Sequence, residues 1–273
     1  MPEEFLQFRQ PQAQRLARFG VTASVDMHCH CLPGLDDGPQ TTDDAIAICR
    51  ALVADGITTV LATPHQLGPF EGVTASEIRR LVKELQARLD DAQLPLTVRP
   101  GGEVRCDERV LQLLDADELL TLGDGGAYLL LELPHSTLLD LRGLIDALVA
   151  RGITPVIAHP ERHGPLGRSP NLIGPWVARG ARLQLTAGSL LGVFGHVAMQ
   201  ASWQLLDAGW VSLIASDAHD AVQRPPSMTA AIELVARHRG HAVARRLCVQ
   251  NPLAVAEGRP LPKPVVRGIG GRA

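Results

Sequence analysis

The sequence predicts an α/β fold of the barrel-like βα kind, and three features carry the prediction. From Val21 onward, short β-branched and apolar runs alternate with amphipathic helical patterns, the signature of βα units around a parallel sheet. Seven β units can be traced, too few for a regular eight-stranded barrel and too evenly alternating for a sandwich. Residues of metal-ligating types stand at or just past the C-terminal ends of six apolar runs, the face where parallel βα folds gather their chemistry.

The elements follow in order. Residues 1–20 are Gln- and Arg-rich with scattered Phe5, Phe8 and Phe19, and they read as an N-terminal extension outside the repeating pattern. Strand one spans Ala23–His30. Thr41-x-x-Asp44 resembles an acidic capping box opening a helix that runs through Ala54 and ends at Gly56. Ala45, Ile48, Cys49, Leu52 and Val53 give that helix an apolar stripe at the 3.6-residue period. Strand two spans Ile57–Thr63, followed by His65 and a helix over Ser76–Asp90. Strand three, Leu96–Arg99, leads into Gly101-Gly102-Glu103, then a short helix over Glu108–Leu114. Strand four, Tyr128–Leu133, precedes a helix over Leu138–Arg151, and strand five is Thr154–His159. A helix over Pro170–Arg179, strand six (Arg182–Thr186), a helix over His196–Ala208 and strand seven (Val211–Ser216) complete the pattern. Helices over Met228–Arg239 and His241–Val249 follow. The domain is placed at residues 21–257, and the Pro-, Arg- and Gly-rich stretch 258–273 reads as a flexible tail.

Bulk properties narrow the function. The 273 residues are 45% hydrophobic and 20% charged, ordinary for a globular chain. A formal net charge of −3 offers no basic excess to neutralise phosphates, which argues against nucleic-acid binding but not against a local pocket for one phosphate. Five cysteines with no C-x-x-C pair read as thiols in a reducing compartment. No run approaches the roughly 18 apolar residues of a membrane span, and no signal peptide is evident, so a cytoplasmic protein is expected.

The chemistry concentrates where the strands end. On a strand, His28 and His30 share one face while Cys29 and Cys31 point to the other, and two imidazoles about 7 Å apart suit a shared metal. Asp37 follows in the next loop; His65 comes after strand two, Glu103 and Glu132 after strands three and four, His159 after strand five, Asp217 and His219 after strand seven. Five histidines and four carboxylates exceed the needs of one ion and suffice for two or three when carboxylates bridge. Three divalent ions against four carboxylates leave about two positive charges to attract a phosphate dianion. Nitrogen and oxygen ligation without thiolate points to Mn, Fe or Zn.

These motifs, His28-Cys-His30 with Gly34-Leu-Asp36-Asp37-Gly38, Thr63-Pro-His65, Gly102-Glu103, Leu131-Glu132, Ile157-Ala-His159-Pro-Glu-Arg162 and Ala215-Ser-Asp217-Ala-His219, resemble those of the PHP (polymerase and histidinol phosphatase) superfamily. Within it the match is nearest to the bacterial metal-dependent protein tyrosine phosphatases of capsule and exopolysaccharide gene clusters. The resemblance runs from about Val25 to Ala256. It implies a distorted (β/α)7 barrel, a centre of two to three ions (Mn foremost) and a metal-activated hydroxide attacking phosphorus without a phosphoenzyme. Carried over by motif, His28, His30, Glu103 and Asp217 hold a first metal; Glu103 bridges to a second completed by Glu132 and His159; Asp37, His65 and His219 hold a third. Arg162 and Arg224 match positions near the phosphate, where a guanidinium fork stabilises charge on its oxygens. By the same resemblance the substrate is a phosphotyrosine protein, the tail of a membrane-linked tyrosine autokinase.

Other readings are weighed against this one. Six residues after the five cysteines come Leu35, Asp37, Asp55, Gln112 and Ala254, so no Cys-x5-Arg phosphatase loop exists, and no G-x-x-x-x-G-K-[ST] run is present. Phe70 can pack on a substrate ring or on the barrel rim; His135 and His163 follow strand ends and can serve as general acids, which a phenolate leaving group hardly needs. A histidinol-phosphate or nucleotide phosphoesterase of the same superfamily, or a non-catalytic metal-stabilised scaffold, are the alternatives. Homo-oligomerisation stays open.

Overall fold

A computed structural model describes residues 24–264; the expected N-terminal extension lies outside the described residues, as does the end of the tail. Among the described residues, nine strands form two all-parallel sheets. One has the order β1 (Val25–Cys29), β2 (Thr59–Ala62), β4 (Thr97–Pro100). The other runs β3 (His65–Gln66), β5 (Glu103–Arg105), β6 (Tyr128–Glu132), β7 (Thr154–Ala158), β8 (Arg182–Thr186), β9 (Val211–Ala215).

The seven expected β units and the nine observed strands differ at two interruptions. Strand two breaks at Thr63-Pro64, where proline has no N–H for the ladder, and resumes as β3 in the other sheet. Strand three breaks at Gly101-Gly102 and resumes as β5. A Cβ on Gly102 would stand 2.4 Å from Gln66 Oε1, the atom that accepts the Leu120 N–H at 2.9 Å, so a larger residue would displace the buried Gln66 amide from that bond. His65 and Glu103 therefore open strands of their own rather than sitting in loops, and register pairs them directly. The same register sets Arg105 beside Glu132.

The chain after β9 returns to β1. Asp217 N–H donates to His28 O at 2.8 Å, His30 N–H to Ala218 O at 2.9 Å, and Cys29 bridges Ala218 in parallel. A register shift between Asp26 and Cys29 interrupts the regular pairing of β1 with β2 around His28, the kind of irregularity that re-aims side chains at a site. Below that segment, Val25, Met27, Leu61, Leu130, Val156 and Leu213 form one buried apolar cluster with Val255 of the helix Asn251–Ala256. Cys29 and Cys31 belong to the other, larger core with Ile48 and Cys49, on the side away from the histidines.

Helix boundaries follow their caps. Thr41 accepts the Asp44 N–H at 3.2 Å to open Thr42–Ala54, as its sequence predicts, and Thr74 does the same for Ala75–Asp91. The single helix expected over Pro170–Arg179 is instead a 3-10 turn (Pro170–Ile173) and a five-residue helix (Gly174–Ala178). Between Ala158 and Arg179, prolines at 160, 165, 170 and 175 punctuate the chain, each lacking an N–H, so only short helical pieces form. Helix Leu138–Arg151 is shorter than expected, Arg142–Ala150. Residues 258–264, expected to begin the flexible tail, include packed positions: Tyr128 OH donates to Arg259 O at 2.7 Å and accepts from Leu261 N–H at 3.0 Å, and Leu261 is buried.

Candidate metal centre

All nine side chains proposed as ligands from the sequence converge around one cavity at the C-terminal ends of the strands. His30, Asp37, His65 and His219 each bring a ligand atom within 4.8 Å of the others; so do His28, His30 and Glu103, then His28, His159 and Asp217, then His65, Glu103 and Glu132. The backbone is contorted to achieve this. His159 (φ 30°) and Asp217 (φ 54°) both adopt the left-handed region, which costs a non-glycine residue of order 1 kcal/mol or more and is held here by the surrounding hydrogen bonds.

Two of the rings are fixed from behind. Gln184 Nε2 donates to Leu185 O at 2.9 Å, which leaves its Oε1 to accept His28 Nδ1–H at 3.0 Å. His30 Nδ1–H donates to Asp36 Oδ2 at 2.6 Å, and the same carboxylate accepts the N–H of His65 and of Gly38. With both Nδ1 atoms committed as donors, the Nε2 atoms of His28 and His30 face one another at 3.3 Å, and in the neutral rings these are the lone-pair positions. Glu103 Oε2 lies 3.3 Å from His28 Nε2, 3.4 Å from His30 Nε2 and 3.1 Å from His65 Nδ1, buried and without a hydrogen-bond donor. Its Oε1 meets His159 Nε2 at 2.8 Å. Glu132 Oε2 is likewise buried without a donor, although Arg105 Nε stands 2.9 Å away out of hydrogen-bonding alignment. Lone pairs facing lone pairs and orphaned carboxylate oxygens are what a cation satisfies, so the donor set fits divalent metal.

The electrostatics agree. Burial alone would raise Glu103, but the rings of His28, His159 and His65 outweigh it and hold the carboxyl well below its ordinary range. Asp217 behaves the same way against its burial, through His28, a hydrogen bond with His30 and Arg162. His28 and His30 are raised despite burial, chiefly by Glu103 and Asp217 for the one and Asp36 for the other. Positive charge is thus drawn to the centre. Glu132 is pushed up to about 8 by burial and the neighbouring Glu103. Burial lowers His65 and His159 to about 4, so both present neutral rings at pH 7, the form that ligates.

A family description, capsular polysaccharide synthesis, CpsB/CapC, matches residues 24–257. The chain belongs to the CpsB/CapC family. The tyrosine-protein phosphatase YwqE of Bacillus subtilis is 38% identical over 201 residues, 73% of this chain and 79% of that protein. The tyrosine-protein phosphatase CpsB of Streptococcus pneumoniae is 27% identical over 241 residues, 84% of this chain and 96% of that protein. A solved chain from crystal structures of YwqE and CpsB, described as metal-dependent tyrosine phosphatases, superposes with a TM-score of 0.82 at 34% identity, covering 89% of this chain and 100% of its own.

In this CpsB/CapC chain the cavity measures about 280 Å³, and Arg105, Arg162, Arg224, His135 and Phe70 join seven of the nine candidate residues in its wall, with His28 and His30 fully buried behind it. Arg162 and Arg224 both donate to Asp217 Oδ2, Arg224 at 2.9 Å, and the Arg162 guanidinium lies over the Phe194 ring at 4.2 Å. Phe70 stacks on His65, ring centroids 5.1 Å apart and planes 7° from parallel, so it is both rim packing and cavity wall. His163 is committed elsewhere: its Nε2–H donates to Thr137 O at 3.2 Å and its Nδ1 accepts the Leu166 N–H at 3.4 Å. Asp36, Gln184 and Arg105 carry parts the sequence reading did not assign. Asp36 stands inside the quoted motif and was legible as a partner for His30; Gln184 lies mid-strand with no flanking signal. No helix among the described residues is long and apolar enough to cross a membrane.

Proposed function

We propose that this chain is a metal-dependent protein-tyrosine phosphatase, a phosphoric monoester hydrolase acting in capsule or exopolysaccharide regulation. The observation that carries the reading is the convergence of five imidazoles and four carboxylates on a cavity walled by three arginines. His28, His30, Glu103 and Asp217 would hold one ion, Glu103, Glu132 and His159 a second, and Asp37, His65 and His219 a third, with Mn the leading identity. When bound, such ions supply Lewis acidity and lower the pKa of a coordinated water, making a nucleophile at neutral pH.

The chain's own residues do the rest. Arg162 and Arg224 orient the phosphate and meet charge growing on its oxygens, the phosphate replacing Asp217 Oδ2 as their acceptor. No Cys, Ser or Thr lines the cavity among the described residues, which supports direct attack by water over a phosphoenzyme on a hydroxyl or thiol. Phe70 closes one wall with an aromatic face, a fit for a phenyl ester. The two sheets, joined between β1 and the segment after β9, are read as one distorted (β/α)7 barrel. The substrate is read as the phosphorylated tail of a membrane-linked tyrosine kinase, met in the cytoplasm.

Phosphate release from a phosphotyrosyl peptide, a phosphoseryl peptide and histidinol phosphate tests the reading, in Mn²⁺ with and without EDTA and beside His159→Ala. Metal-dependent turnover of phosphotyrosine, lost in the variant, is expected. Preferred turnover of histidinol phosphate would replace the substrate, and silence on all three with metal bound would leave only a scaffold.

A further inference from the structure

Beside the catalytic cavity lies a second one of about 290 Å³, and His135 and Arg162 form the wall common to both. Its floor is apolar: Phe194, under the Arg162 guanidinium, and Val197, half-exposed on the helix Gly195–Asp207. Its rim is Arg168, at the end of the short helix Gly164–Arg168 and exposed. Of the arginines lining the two cavities, Arg105 stands against Glu132 and Arg162 and Arg224 against Asp217; Arg168 alone has no carboxylate partner among the described residues. Glu161 also borders this cavity but is only 1% exposed, with Oε1 accepting the Thr186 N–H at 2.9 Å, so it presents no anion at the mouth.

We infer that this second cavity is a specificity subsite for the polypeptide flanking the phosphotyrosine, and that it selects an acidic side chain through Arg168. The inference rests on the phosphatase reading above. An extended peptide advances about 3.3–3.6 Å per residue, so a side chain one or two positions from a phosphotyrosine seated in the first cavity falls over the shared wall into the second. There the methylenes of a Glu lie on Val197 and Phe194, and its carboxylate meets the free guanidinium. A basic residue at the same position would face Arg168 and Arg162 together. Small aryl phosphates end at the first cavity and do not sense the second.

The test is kcat/KM of the Mn²⁺-loaded full chain on phosphotyrosyl peptides carrying Glu, Ala or Lys at each of the two positions on either side, with phenyl phosphate alongside. Wild type, Arg168→Ala, Arg168→Glu and Val197→Asp are compared; all three substitutions are at exposed positions. An exposed ion pair is worth up to about fivefold, so the Glu peptide should exceed the Ala peptide by about two- to fivefold at one position, chiefly in KM. Arg168→Ala should erase the preference and Arg168→Glu should turn it toward Lys, with phenyl phosphate turnover unchanged. Equal rates on all peptides in the wild type, beside normal phenyl phosphate turnover, would overturn the subsite and leave the phosphatase standing. Loss of phenyl phosphate turnover in Arg168→Ala would overturn it too, by placing Arg168 in the chemistry. Failure of the wild type on every aryl phosphate would remove both.

Discussion

Glu103 and Asp217 are buried carboxylates, and so are Asp26, Asp55 and Glu161, none of the five more than 4% exposed. Their protonation runs in opposite directions. The first two are held well below the ordinary carboxylate range, whereas burial raises Asp26 and pushes Asp55 and Glu161 up to about 7. Desolvation is common to all; the partners differ. Imidazoles and arginines surround Glu103 and Asp217, while the others face neutral donors: Ser216 N–H at 3.0 Å, Met228 N–H at 2.6 Å, Thr186 N–H at 2.9 Å. Those donors belong to backbone that must be held still. Asp26 pins the residue before Asp217, Glu161 ties the His159–Arg162 turn to the end of β8, and Asp55 caps the helix Met228–Arg239. One group of acids gathers positive charge and the other positions the chain around it. Burial by itself does not mark a functional acid; the company it keeps does.

The contrast can be broken by experiment, most severely by removing the cations. EDTA is expected to lower phosphotyrosyl-peptide turnover at least about 10³-fold, since metal activation of water is worth several kcal/mol, and to lower Tm. Activity that persists after dialysis, with no metal by elemental analysis, would dissolve the distinction. Glu103→Gln should cost about 10²–10³-fold in kcat/KM, whereas Asp26→Asn, which preserves shape and removes a charge burial already disfavours, should stay within about tenfold. Equal losses would place both acids in one class. Gln184→Leu should weaken metal affinity about 10–100-fold, read by metal titration, while circular dichroism stays unchanged. The mildest effect concerns stability. Asp55 titrates higher folded than unfolded, so its contribution is fully present below its unfolded value near 4 and is lost as pH rises through about 7. Asp55→Asn cannot ionise; its Tm relative to wild type should therefore improve between pH 5 and pH 8, by a few degrees. A difference independent of pH would mean Asp55 is ionised throughout.

The nine residues that cluster were legible as candidates because each ends an apolar run in a sequence that alternates strand and helix, and chemistry at such ends needs no tertiary information to be suspected. The two interruptions were less legible. Pro64 and Gly101-Gly102 read as strand ends, and only the structure shows the chain passing from one sheet to the other there, with Gln66 packed against Gly102. Gln184 escaped notice because a single amide inside an apolar strand has no local signature; its part depends on His28, 156 residues away. Arg168 was likewise silent, an ordinary surface arginine until the cavity beside it is seen.

Cys29 and Ala218 meet although 189 residues separate them, and the clustered imidazoles and carboxylates are spread over nearly the same span, from His28 to His219. On a ribosome adding roughly 5–20 residues per second, His28 emerges about ten to forty seconds before Asp217. During that interval β1 has no partner on one side, and its two imidazoles lack the aspartate that later stands against both. Such long-range pairing is slow to form. A nascent copy that has not yet reached Asp217 therefore cannot assemble the cluster, which forms only when the polypeptide is far enough along to close on its own beginning.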